Sequence, residues 1–184
     1  MKVLFASDIH GSAYYTEKIL ERFEASGAGK LILLGDILYH GPRNDLPEGH
    51  APKKVFAMLN GYAEKIIAVR GNCDAEIDQL MLSFPLLGPC ATVVVDGVRL
   101  FLSHGHLWGP DEQLPPLSIG TIVATGHTHV PTIQRFDGHW CFNPGSISIP
   151  KGGSEASYAL LDGRALSLRR LADGEPYRTE TLEE

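Results

Sequence analysis

The sequence predicts an α/β protein built on two sheets, and three observations predict it. The first half alternates short apolar runs with amphipathic helical patterns. The second half is a series of short runs punctuated by Gly or Asp-Gly. Residues able to bind metal recur where those runs end.

The elements follow in order. "KVLFASD" is an apolar run closing on a polar pair, the pattern of a strand buried on both faces. Ser12 is placed to cap a helix reaching about Gly27, with Tyr15, Ile19, Leu20 and Phe23 on one face. "KLILLGD" is a second buried strand, "KKVFAMLNGYAEK" a second helix with Val55, Phe56 and Leu59 inward, and "IIAVRGN" a third strand. A β-α-β-α-β order predicts a parallel, right-handed sheet. The runs "ATVVVDG", "VRLFLSHG", "TIVATGH", "TIQRFDG", "HWCFNPG", "SYALLDG" and "ALSLRRL" predict a mixed second sheet packed on the first, with helices outside. Asp96-Gly97, Asp137-Gly138 and Asp162-Gly163 are its hairpin turns. Two Pro-containing stretches, His40–Pro52 and Leu107–Leu117, are expected as surface loops that could rim a site.

The chain's 184 residues suit a single domain, with 43% hydrophobic and 21% charged residues in the globular range. A net charge of −6 argues against a sequence-independent grip on long nucleic acid, though bound metal could still attract a phosphorylated substrate. Cys73, Cys90 and Cys141 are odd in number and widely spaced, which argues for a reducing compartment rather than a disulfide framework. The N-terminal apolar run is too short for a signal peptide, and no run reaches membrane-spanning length. A soluble, cytoplasmic protein is expected. Exposed sheet edges could pair subunits into a homo-oligomer.

The chemistry is positional. Asp8 and His10 follow the first strand, Asp36 ends the second and Asn72 the third. His104 ends "VRLFLSH", and His127 and His129 follow "TIVATG". The carboxyl ends of strands form the ligand edge of an open α/β sheet, so separate strands can deliver these seven residues to one place. Two carboxylates, four imidazoles and one amide suit borderline divalent ions such as Mn, Fe, Co or Zn better than the all-oxygen cages of Ca or Mg. Seven ligands exceed one four-coordinate ion and suit two ions sharing a bridge, a clamp for attack on phosphorus.

"DIHGS", "LGDILYHG", "RGNCD", "SHGH", "TGHTH" and "NPGS" together resemble the calcineurin-like metallophosphoesterase superfamily, and within it the small bacterial phosphodiesterases without a cap domain. The resemblance runs from Asp8 to Ser146. It implies a four-layer α/β/β/α sandwich of two mixed sheets. It implies one metal on Asp8, His10, Asp36 and His129, and another on Asp36, Asn72, His104 and His127. Asp36 would then bridge together with a hydroxide that attacks phosphorus without a covalent intermediate. Manganese is the metal the resemblance suggests, with Zn, Fe, Co or Ni as alternatives. Cys73 is the departure: the superfamily places there a His thought to act as acid or to stabilise the transition state.

Other residues admit plainer readings. His106 lies two residues beyond His104 and could touch substrate or donate a proton, or be an ordinary loop residue. Asn72, His106 and Cys73 are the candidates for catalytic contact besides the ligands. His40, His50 and His139 are expected on the surface, with His40 best placed to visit the site. Arg70 could meet a phosphate or form an ion pair. Arg43, Asn44 and Asp45 are expected to face solvent, and Asp74 to cap a short helix containing Ile77, Leu80 and Met81. Trp108 either lines a pocket or anchors its loop.

The function expected is metal-dependent hydrolysis of a small phosphodiester. A monoester dianion has a poor alkoxide leaving group and gains more from an acid at position 73, which this chain lacks. Phosphomonoester or phosphoprotein hydrolysis is the enzymatic alternative. A non-catalytic scaffold, the role of a retromer subunit of this fold, is the alternative of another class. A processive nuclease is disfavoured by the acidic charge.

Overall fold

A computed structural model describes residues 1–183. Among the described residues, eleven strands form two sheets, accompanied by three α-helices. The first sheet has the order β11-β10-β9-β1-β2-β3. Its β1 (Val3–Ala6), β2 (Lys30–Leu33) and β3 (Ile66–Ala68) are parallel, with Val3 opposite Lys30 and Leu31 opposite Ile66. The second sheet has the order β4-β5-β6-β8-β7, made of β4 (Cys90–Val95), β5 (Val98–Ser103), β6 (Ile122–Ala124), β7 (Thr132–Phe136) and β8 (His139–Asn143).

The continuous apolar runs are explained by burial on two faces. Val3, Phe5, Ile32 and Leu34 point between the sheets and meet Leu100, Leu102, Ile122 and Phe142. Phe5 and Phe142 form an edge-to-face pair with centroids 5.0 Å apart. Leu4, Ala6, Leu31 and Leu33 point the other way, beneath α1 (Ala13–Ser26) and α2 (Pro52–Asn60). Ser12 caps α1, accepting from Tyr15 N at 3.2 Å, and Gly27 ends it in the left-handed region at φ 67°. Pro52 opens α2, where its missing N–H costs nothing.

The structure differs from the sequence reading in several places. The second helix stops at Asn60, a turn through Gly61 follows, and Ala63–Lys65 is a separate 3-10 turn. The strands β9 (Ser157–Asp162) and β10 (Ala165–Arg170) join the first sheet, not the second: β9 pairs antiparallel with β1, with Val3 opposite Leu161. That makes the first sheet mixed. A further strand, β11 (Pro176–Thr181), closes its edge. The outer face of the second sheet carries no helix among the described residues. The segment 105–120 covers it, seating Trp108, Leu114 and Leu117 on Phe101, Val123 and Cys141. Trp108 is thus the loop's anchor. His139 is buried, with Nδ1 donating to the Thr121 carbonyl at 3.1 Å, because β8 is an inner strand of its sheet. No described helix is long and apolar enough to cross a membrane.

The sandwich has one consequence for the site. β1, β2 and β3 run parallel in one sheet, and β5, β6 and β8 run parallel in the other. The carboxyl ends of the two sets meet at one end of the sandwich.

Candidate metal centre

Asp8 and His10 leave β1, Asp36 leaves β2, Asn72 follows β3, His104 follows β5, and His127 and His129 follow β6. The structure brings all seven together. His129 Nε2 is 3.2 Å from Asp8 Oδ1 and 3.3 Å from His10 Nε2. Asp36 Oδ2 lies 3.7 Å from His10 Nε2 and 3.4 Å from His104 Nε2, and His104 Nε2 is 3.1 Å from Asn72 Oδ1. The His104 and His127 rings are 5.1 Å apart.

The backbone is strained to achieve this. Asp8, His10, Asp36, His127 and His129 all have positive φ, between 49° and 71°. Non-glycine residues rarely adopt that region, and such strain gathers at functional sites. Gly71 and Gly126 make the crowding possible. A Cβ on Gly71 would collide with Asp36 Oδ1, and one on Gly126 with Ser7 Oγ.

The hydrogen bonds decide which atoms face the centre. His10 Nδ1 donates to the Tyr39 carbonyl (2.9 Å), His104 Nδ1 to Leu34 (2.6 Å) and His129 Nδ1 to Ile149 (2.5 Å). A carbonyl only accepts, so each neutral ring turns a bare Nε2 lone pair inward. The carboxylates are arranged alike. Asp8 Oδ2 accepts from Ser7 Oγ (2.6 Å) and His127 N (3.1 Å), which leaves Oδ1 buried without a partner. Asp36 Oδ1 accepts from Cys73 N (2.8 Å), which leaves Oδ2 inward. With the rings neutral, acceptor atoms converge without a donor, an arrangement resolved by a cation or by protons taken up on the imidazoles. Asp8, His10 and His129 form one group that could hold an ion, and Asp8, Asp36 and His104 another.

The electrostatics are consistent. Burial opposes ionisation of Asp8, yet the neighbouring imidazoles hold its carboxyl well below the usual range. Burial pulls the His104 imidazole down, but Asp36 and Asp8 overcome it and push it up to about 9. The sign follows: a raised folded-state value gives stability that is present below the ordinary 6.5 and lost as pH rises through about 9. Protein stripped of metal should thus lose thermal stability across that window. Added divalent metal, which competes best when His104 is deprotonated, should restore it at the alkaline end.

The other candidates are placed as follows. Cys73 contributes its N–H to Asp36, and its thiol, pushed up to about 12 by burial and by Asp36, remains protonated near neutrality. Its Sγ lies close to His10 and Asp36. His106 stands beside His104 and His127, at centroid distances of 5.3 and 6.0 Å, with its buried Nδ1 unpartnered. Burial and the nearby imidazoles lower its pKa, so it is neutral. His40 turns its ring toward His50, 5.5 Å away, and not into the cluster; His50 is half-buried against Gly11. Arg70 is the ion-paired residue, 3.5 Å from Glu76.

Two readings are corrected. Asp74 does not cap the short helix α3 (Glu76–Met81), whose first turn is held by Asp78 accepting from Ala75 N. It is buried and accepts from the N–H groups of Asp36, Ile37 and Gly71 at 2.7–2.8 Å, clamping the β2 and β3 loops together. Asp74→Ala should strand those donors at a cost of about 1–3 kcal/mol. Calorimetry should show Tm falling by roughly 2–4 °C per kcal/mol, with weaker metal retention. Asn44, expected to face solvent, is half-buried, whereas Arg43 is exposed as expected, and both line the cavity above the cluster. Sequence reasoning also missed the serines after "NPG": Ser146 and Ser148 both donate to the Asp8 carbonyl, at 2.8 and 2.9 Å. Asn143 Nδ2 donates to the Gly126 carbonyl at 2.6 Å. The quoted "NPGS" turn was the available signal.

The chain is 55% identical over 173 residues to phosphodiesterase YfcE of Escherichia coli (strain K12), covering 94% of each protein. A solved structure of that E. coli phosphoesterase superposes with a TM-score of 0.95 at 51% identity over the whole of both chains. Vacuolar protein sorting 29 from Cryptosporidium parvum shares the fold, with a TM-score of 0.68 at 18% identity over 100% of this chain and 98% of the other. The calcineurin-like phosphoesterase superfamily domain matches residues 1–165. That match contains every strand of the second sheet and every residue of the cluster, and by it the chain belongs to the calcineurin-like phosphoesterase superfamily.

Proposed function

We propose that the protein is a metal-dependent phosphodiesterase acting on small phosphodiesters at a dinuclear centre. The convergence of bare acceptor atoms, with the buried and unpartnered Asp8 Oδ1 among them, carries the reading. Strong identity to a phosphodiesterase supports the substrate class. Asp8, His10, Asp36 and His129 would hold one ion, and Asp36, Asn72, His104 and His127 the other. Asp36, with Oδ2 near both His10 and His104, would be the residue common to the two sets. The donor set suits borderline divalent ions, with manganese proposed. Two such ions supply Lewis acidity toward phosphoryl oxygens and a hydroxide nucleophile at neutral pH.

The chain's own residues do the rest. The carbonyl-anchored imidazoles and the clamped carboxylates keep their donor atoms oriented before substrate arrives. His106, neutral and lining the cavity beside Asn72, can hydrogen-bond a phosphoryl or leaving-group oxygen. The protonated Cys73 is no nucleophile. Metal analysis with a panel of aryl diesters and monoesters tests the reading. Two metals per chain and a diester preference are expected; a strong monoester preference would overturn the substrate class. A protein holding under one metal per chain after loading, and inert to diesters, would instead be a scaffold.

A further inference from the structure

Two cavities open beside the cluster, and Asn72 lines both. The first, about 460 Å³, is floored by cluster residues and rimmed by Arg43, Asn44 and Lys151. The second, about 380 Å³, lies among Arg70, Leu87, Pro89, His106 and Leu107. Their charges differ. The Arg70 guanidinium is engaged, with Nε donating to the Asp74 carbonyl at 3.1 Å and NH1 3.5 Å from Glu76. The side chains of Arg43 and Lys151 have no ion-pair or hydrogen-bond partner among the described residues. They come from separate loops, one after β2 and one after β8, yet face the same cavity. On a chain of net charge −6, two unneutralised cations on one rim stand out from the surroundings.

A phosphomonoester has a single organic arm and would leave one cavity empty; a diester has two arms. The reacting phosphate is met by the cluster itself, so cations farther out are free for a second anion. We infer that the preferred substrate is an asymmetric phosphodiester. One arm carries a second anionic group, phosphate or carboxylate, held by Arg43 and Lys151. The other arm is uncharged and lies against Leu87, Pro89 and Leu107. This rests on the phosphodiesterase reading above and narrows it.

The p-nitrophenyl ester of thymidine 5′-phosphate, with and without a 3′-phosphate, isolates the added charge. The 3′-phosphorylated diester should have a kcat/KM about tenfold higher, carried by KM, the size expected of two partly exposed ion pairs. In R43Q/K151Q the ratio should fall to within about twofold of unity, while Arg43→Lys retains most of it. A readout without turnover is the calorimetric Kd of thymidine 3′,5′-bisphosphate against that of thymidine 5′-phosphate, which should show the same preference and the same loss. High salt should compress both ratios. Comparing a phosphate with a carboxylate on the arm separates the two sources of charge. Equal kcat/KM for the two diesters, or a ratio unmoved by the double substitution, overturns the inference and leaves the diesterase reading standing. Failure to hydrolyse either diester, or bis(p-nitrophenyl) phosphate, overturns both.

Discussion

Asp36→Asn should lower kcat on any phosphodiester by about a thousandfold or more, since several kcal/mol of transition-state charge stabilisation are lost with the metal. The change is chemically small and geometrically mild. Asp36 sits at φ 56°, a region that Asn tolerates as well as Asp does. The amide has one oxygen, and Cys73 N already donates to position Oδ1. With the oxygen kept there, the new NH2 points at the bare Nε2 atoms of His104 and His10. An amide NH2 donates to those lone pairs and ligates nothing. The variant should therefore bind less metal and still unfold cooperatively, at a Tm below that of metal-free wild type near neutrality, where the Asp36–His104 ion pair is lost, and level with it above about pH 9. Normal metal content with full loss of activity would argue against Asp36 as the bridge. Loss of the fold would show that this position serves structure first. His127→Ala is the companion, at a half-buried position whose truncation leaves no sealed cavity; it should lose activity comparably while keeping the ion on Asp8, His10 and His129.

The parallel half of the first sheet was legible because those strands are buried in long apolar runs. A strand such as β1, with Val3 and Phe5 toward one sheet and Leu4 and Ala6 toward the helices, leaves a run with no alternation to misread. The positions of the seven cluster residues were legible for a related reason, since each follows such a run. Sheet membership was not. The β9 run "SYALLD" states that it is buried, but nothing local states that β1 is its partner rather than β8. β11 was invisible because "PYRTET" is almost wholly exposed, and a polar edge strand that opens on Pro and carries Arg178 and Glu180 looks like a loop.

The second tier of the site was the least legible. Asp74 was read by its neighbours in sequence, as a helix cap, when two of its three partners, Asp36 N and Ile37 N, lie 38 and 37 residues away across a loop contact. Ser146 and Ser148 reach the Asp8 carbonyl across 138 and 140 residues. A metal ligand announces itself by chemistry, whereas the group that orients it is an ordinary Ser or Asp distinguished only by what it touches. Arg43 and Lys151 are the same case at the rim, and only the cavity between their loops gives them a common address.

Cys73→His should raise kcat/KM on alkyl phosphomonoesters by about a hundredfold, the low end of general acid catalysis. Position 73 already has the setting such an acid needs. Its side chain lines the main cavity close to His10 and Asp36, and its backbone N–H fixes Asp36 whatever the side chain is. The thiol, held up to about 12, is too weak an acid to give a proton to a departing alkoxide at neutral pH. An imidazolium with an ordinary value near 6.5 is far better matched. The gain should therefore grow with the basicity of the leaving group: large for alkyl monoesters, small for p-nitrophenyl phosphate, whose phenolate leaves without help. It should also acquire an alkaline limb in the pH–rate profile, as the new imidazolium loses its proton. Diester turnover on good leaving groups should change much less. Cys73→Ser separates chemistry from space: it keeps the small side chain and should bring no such gain. If Cys73→His leaves alkyl monoesters untouched while metal content is normal, the missing acid is not what sets the substrate class. Discrimination must then come from the cavities on either side of Asn72.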